Sequence, residues 1–132
     1  MSLKDFEMFS YVQLAEIAYR KQQQIGCVKF LILAGESAYH AESVGVAERC
    51  YQLVVLNNPQ HLLARYPSFS EAVQDEDFQP FIKQLKRFCN VEKAEYLLAR
   101  TEPENLLPSE RKGNLSLAAM QLLERISLST DE

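Results

Sequence analysis

The stretch from Cys27 to Pro59 is the most apolar part of the chain, and it limits what the rest of the chain can fold into. Three of the four glycines lie in or beside it: Gly26, Gly35 and Gly45. Apolar residues recur through it at the spacing of amphipathic helices. We predict two helices folded into a hairpin, at about 27–42 and about 44–57, with Ser43 at the bend as the N-cap of the second.

One segment of this hairpin also fits a strand. Residues 28–35 read VKFLILAG, a short apolar run ending at glycine, which is typical of a buried strand as well as of a helix. The only other candidate strand is 53–56, LVVL, and a sheet of two strands is marginally stable. We therefore favour the helix, with Gly35 as a point of close approach between helices.

The remaining segments also show helical patterns. The first helix, from Ser2 to about Gln24, is apolar over most of its circumference, so it lies either at the centre of the bundle or partly against another chain; we favour the centre. Gly26 is its expected stop. Further helices are predicted at about 59–65, after Ser68 or Ser70, around Pro80, after Asn90 and from Asn114 or Ser116.

Together these segments predict an all-α fold, a compact bundle of about six helices built on helical hairpins. A length of 132 residues suits a single helical domain over 1–132. Residues 101–113, which contain two prolines and a glycine, are the expected mobile loop, and residues 129–132 the expected frayed tail.

Charge and composition exclude several classes of function. The formal net charge is -4, and all the excess is in residues 67–132, with eight Lys/Arg against twelve Asp/Glu. Since no basic cluster is present, we expect no nucleic-acid binding. The N-terminus lacks the apolar core of a signal peptide, and no apolar run approaches the roughly 20 residues that span a bilayer, so we expect no membrane association.

The cysteines are odd in number, widely spaced and embedded in apolar patterns: Cys27, Cys50 and Cys89. This is typical of small buried side chains in a reduced protein, so we expect a cytoplasmic location and unreactive thiols. No phosphate-binding loop or dinucleotide fingerprint occurs, and no cofactor is expected.

Within the hairpin, Ala47 and Tyr51 followed by Pro59 resemble the second helix of a tetratricopeptide repeat, and Ala34-Gly35 stands where its first helix carries Leu-Gly. The resemblance covers residues 33–59, and no second copy follows at a spacing of 34. It implies a helical hairpin that holds a partner peptide or protein. Two segments of the chain are also similar to each other, LAEIAY at 14–19 and LAGESAY at 33–39. This similarity indicates either two similar helices or chance agreement.

Few side chains are spaced for catalysis or metal binding. Glu36 and His40 lie one helical turn apart, so they could face a metal ion. A bundle di-metal site, however, needs two Glu-x-x-His pairs and two further glutamates, and neither histidine of this chain has a glutamate three residues before it. We expect a surface ion pair and no metal site. His61 is expected to be a solvated residue.

We therefore predict a non-catalytic protein-interaction or scaffold module that uses helix surfaces and can self-associate. The candidate partner-binding residues are Tyr11, Tyr19 and Tyr39, because a partly exposed tyrosine offers contact area and a polar end. The alternative is a small-ligand-binding protein or enzyme with a pocket inside the bundle, in which Glu36 and His40 are the candidate residues.

Overall fold

The computed structural model describes residues 3–101 and 114–126. Two predictions lie outside these residues: the frayed tail at 129–132, and the mobile loop at 101–113 except for its first residue. The described residues form seven α-helices, one short 3-10 helix and no strand. The α-helices are α1 Leu3–Arg20, α2 Gln24–His40, α3 Val44–Asn57, α4 Phe69–Gln74, α5 Gln79–Phe88, α6 Val91–Thr101 and α7 Leu115–Leu123, and the 3-10 helix is Leu62–Arg65. This confirms the predicted all-α bundle.

Helix α1 is the centre of this arrangement. It packs along α2 and also contacts α6 and α7, so every residue from Met8 to Ala18 is buried. The apolar surface around α1 is therefore covered by helices of the same chain, and α1 lies at the centre of the bundle, as predicted. Helix α7 contacts α3 as well, while α4 and α5 pack on α2. None of the helices in 3–101 or 114–126 is both long and apolar enough to cross a membrane.

The segment 28–34 is helical, as predicted, and α2 and α3 form the expected hairpin. The stop predicted at Gly26 is wrong: Gly26 lies in the first turn of α2, and α1 ends at Arg20. The chain reverses instead at Gln22, whose φ is +61°. The left-handed conformation costs a residue with a side chain about 1–2 kcal/mol, and for this reason sequence reasoning places such turns at glycine.

The same turn recurs between α2 and α3. Glu42 has a φ of +62°, and each turn forms an equivalent backbone hydrogen bond. The bond runs from Gln23 N to Ala18 O at 2.9 Å in the first turn and from Ser43 N to Ala38 O at 2.8 Å in the second. Such bonds satisfy carbonyl groups that the end of a helix leaves without partners. The similarity between 14–19 and 33–39 thus corresponds to two helices with matching ends, twenty residues apart.

Gly35 is a point of close approach, as predicted. A Cβ atom built on it would lie 2.3 Å from Cε2 of Phe69, the first residue of α4. The Phe69 side chain is fully buried, and its ring meets that of Phe78 edge-on at 6.4 Å between centroids. Phe78 in turn lies 5.5 Å from the ring of Phe81 on α5. The missing side chain at Gly35 therefore lets α4 and the aromatic cluster sit against α2.

The predicted caps differ in outcome. Ser68, Asn90 and Asn114 accept backbone N–H groups from the first turns of α4, α6 and α7, at 3.2, 2.8 and 3.1 Å. Ser43 stands at the N-cap position of α3 but makes no capping bond. Its Oγ lies 2.5 Å from Oγ of Ser116 instead, and this contact joins the α2–α3 turn to the start of α7.

Candidate functional site

An open cleft of about 490 Å³ lies between the first half of α2, the end of α3 with the segment after it, and α5. Within 3–101 and 114–126, ten residues line it: Gln24, Ile25, Val28, Lys29, Ile32, Asn57, Asn58, His61, Phe81 and Leu85. Its volume falls in the range of known ligand-binding clefts, about 300–1,000 Å³. The cleft is the candidate functional site.

The walls of the cleft are apolar because two helices present one face each. On α2 the residues Ile25, Val28 and Ile32 follow one another at helical spacing, and on α5 Phe81 and Leu85 are one turn apart. Ile32 and Leu85 are buried and form the floor, whereas Ile25 is 75% exposed. A large exposed aliphatic side chain at the edge of an apolar cleft is a surface that a partner can cover.

The polar groups of the cleft lie at the two helix ends and on α2. Gln24 at the start of α2 donates a side-chain hydrogen bond to Oδ1 of Asn57 at the end of α3. This bond ties the two ends together and holds one side of the cleft. The amine of Lys29 lies 4.6 Å from the centroid of the Phe88 ring, within the range of a cation–π contact.

His61 places an imidazole against the apolar wall. Its Nδ1 accepts the backbone N–H of Leu63 at 3.0 Å and so caps the 3-10 helix, and its ring meets that of Phe81 edge-on at 5.8 Å. Burial lowers the pKa of His61 below its ordinary value of 6.5, which favours the neutral ring at pH 7. Because Nδ1 accepts a hydrogen bond, the neutral ring carries its hydrogen on Nε2. The prediction that His61 is simply a solvated residue is wrong.

The three candidate tyrosines lie elsewhere. The prediction of a partly exposed Tyr11 is wrong: its side chain is 2% exposed, and its hydroxyl donates to the backbone carbonyl of Cys89 at 2.8 Å. This bond fastens the end of α5 to α1. Tyr19 and Tyr39 are half-buried at the ends of α1 and α2, and neither lines the cleft.

Glu36 and His40 are paired, as expected, with His40 Nε2 2.9 Å from Glu36 Oε2. The predicted surface location is wrong for Glu36, whose side chain is buried, and Lys86 of α5 reaches the same oxygen at 3.4 Å. Burying a carboxylate requires such partners, so the cluster joins α5 to α2. Neither Glu36 nor His40 lines the cleft. Within 3–101 and 114–126, no three His, Cys, Asp or Glu side chains are grouped so that they could hold a metal ion.

All three cysteines are buried with free thiols. Burial raises the pKa of Cys27 to about 12 and also raises the pKa values of Cys50 and Cys89 above their ordinary range. A thiol with a raised pKa carries almost no thiolate at pH 7, so none of them is a ready nucleophile.

The cleft residues Ile25, His61 and Phe81 were not identified from the sequence. The i, i+3, i+4, i+7 spacing of Ile25, Val28, Lys29 and Ile32 is the one local signal of this surface, and it is indistinguishable from an ordinary core-facing stripe. The opposite wall comes from α5, and its first lining residue, Phe81, is 49 residues beyond Ile32.

Fold and site together define the chain as an all-α helical bundle with an open apolar cleft. No known family model, curated protein or solved structure matches it.

Proposed function

We propose that this chain is a non-catalytic protein-interaction module that holds an apolar segment of a partner protein in the cleft between α2, α3 and α5. The observation that carries the proposal is the combination of a buried apolar floor with an exposed aliphatic residue at the rim. Ile32 and Leu85 are buried, whereas Ile25, which also lines the cleft, is 75% exposed.

The openness of this surface favours a segment of protein over an enclosed small ligand. Small-molecule sites usually surround most of the ligand, whereas an amphipathic helix lays only its apolar face into a groove between helices. The tetratricopeptide-like pattern at 33–59 supports the same proposal, since that family usually holds a partner peptide or protein on a helical surface. A small ligand remains the second candidate, because the cleft volume of about 490 Å³ suits one.

Selection from a displayed library of amphipathic helical peptides tests the proposal. Ile25→Asp places a charge in the cleft at a largely exposed position, and Val44→Asp is its matched control, because Val44 is 58% exposed in the first turn of α3 and does not line the cleft. An aspartate in a helical first turn is favourable in both variants, so neither is expected to unfold the chain.

We expect selected peptides to bind the native chain and the Val44→Asp variant alike, and to bind the Ile25→Asp variant about tenfold more weakly. Failure to select any peptide, or equal effects of the two substitutions, contradicts the proposal. Native mass spectrometry of the purified chain shows whether a small ligand occupies the cleft instead. Sedimentation over a range of concentrations shows whether a second copy does.

A further inference from the structure

The charge of the cleft points to the chemistry of its partner. Among the described residues that line the cleft, Lys29 is the one that is charged at pH 7, since His61 is neutral. Its amine lies over the Phe88 ring, and no carboxylate among residues 3–101 and 114–126 pairs with it. An aromatic face satisfies an ammonium group only in part, so the charge is available to a carboxylate that arrives with a partner.

The neutral polar side chains of the lining keep unused N–H donors. Three of the four each accept one hydrogen bond within the chain: Asn57 Oδ1 accepts from Gln24, Asn58 Oδ1 from the backbone N–H of Gln60 at 3.1 Å, and His61 Nδ1 from Leu63. Besides the second lone pair of each amide oxygen and the oxygen of Gln24, their remaining hydrogen-bonding groups are the amide N–H groups of Asn57 and Asn58 and the Nε2–H of His61. The described lining thus has one cation, no carboxylate and several N–H groups, which suits an acceptor with negative charge.

We infer that the partner segment is acidic: an amphipathic helix whose apolar side chains fill the space between α2 and α5 and whose Glu or Asp side chain pairs with Lys29. This inference rests on the proposed function and adds the charge of the partner to it. Phe88, which lies beside Lys29, is partly exposed, so the methylene groups of the partner's Glu or Asp side chain can pack against its ring.

Three pools of displayed peptides, each about 14 residues long, test the charge preference. The pools share the same randomised apolar positions at helical spacing and differ only at the remaining positions, which carry Glu, Gln or Lys. Lys29→Met removes the ammonium and keeps most of the apolar chain. Lys83→Met is the matched control, since Lys83 is an exposed lysine of α5 that does not line the cleft.

We expect the Glu pool to be enriched most strongly, and its best peptide to bind about fivefold more tightly than the Gln version of the same sequence. Lys29→Met should remove that difference, Lys83→Met should preserve it, and high salt should reduce it. Equal binding of Glu and Gln peptides, both weakened by Ile25→Asp, overturns the inference and leaves the proposed function standing. Enrichment of no pool, a co-purified fatty acid or a dimer that Ile25→Asp dissociates overturns both.

Discussion

The close contact between Gly35 and the Phe69 ring allows a direct test of the fold. A Cβ at position 35 would lie 2.3, 2.7 and 2.8 Å from three carbons of that ring, whereas carbon atoms in contact lie about 3.5–4.0 Å apart. Gly35→Ala therefore requires the ring to withdraw by more than about 1 Å. The ring is fully buried against Phe78, and the backbone N–H of Phe69 is held by Glu48 at 3.1 Å.

Two terms decide the size of the effect. Overpacking a core costs about 1–3 kcal/mol, and alanine in place of glycine inside a helix returns about 1 kcal/mol. We expect Gly35→Ala to lower the free energy of unfolding by about 1–2 kcal/mol, because the buried ring places the packing cost at the upper end of its range. Urea unfolding followed by far-ultraviolet circular dichroism measures it.

Gly26→Ala is the control for this measurement. Gly26 lies in the same helix, but a Cβ built on it meets no heavy atom within 4 Å, so only the helix-propensity term applies. We expect this variant to gain about 0.5–1 kcal/mol. Adding Phe69→Leu to Gly35→Ala should cost about 1 kcal/mol less than the sum of the two single changes, since the smaller side chain makes room. If Gly35→Ala is as stable as Gly26→Ala, the packing of α4 on α2 described above is incorrect.

Two further predictions concern the turns and the cleft histidine. Gln22→Gly and Glu42→Gly should each raise the free energy of unfolding by about 0.5–1 kcal/mol, because glycine adopts a positive φ without strain. If urea unfolding shows that both variants are less stable than the native chain, the two matching turns are described incorrectly. Burial lowers the pKa of His61, so the unfolded chain binds the proton more readily than the folded chain. The free energy of unfolding should therefore be highest above pH 6.5, where the ring is neutral in both states, and should fall as the pH drops below 6.5. His61→Asn keeps a capping acceptor but has no group that binds this proton. Between about pH 7.5 and 5.5, the free energy of unfolding should therefore fall more for the native chain than for the variant. Equal decreases in the two proteins would contradict the partly buried position of His61.

Local patterns in the sequence predict much of this fold. Periodicity predicts the bounds 44–57 of α3, and glycine placement predicts the close approach at Gly35. Capping preference predicts the cap at Asn90, and it limits the starts of α4 and α7 to two residues each, of which Ser68 and Asn114 are the caps. Such features depend on residues within a few positions of one another, and the sequence displays them directly.

Apart from the helix stop misplaced at Gly26, the errors arise where contacts with distant residues decide the outcome. Tyr11 is buried because the end of α5 supplies a carbonyl group for its hydroxyl, and Ser43 leaves α3 without a side-chain cap because its Oγ meets Ser116. The cleft could not be predicted for the same reason. Its lining combines residues 24–32, 57–61 and 81–85, and the helical spacing of Ile25 and Ile32 does not show that one is exposed and the other buried.

The interaction cleft is tested most directly by methyl nuclear magnetic resonance of the chain labelled at isoleucine, leucine and valine, titrated with a peptide selected from the displayed library. Binding at the proposed surface should shift the methyl signals of Ile25, Val28 and Ile32 on α2 and Leu85 on α5 first and most strongly. Shifts concentrated instead around Val44, away from these residues, would contradict the account.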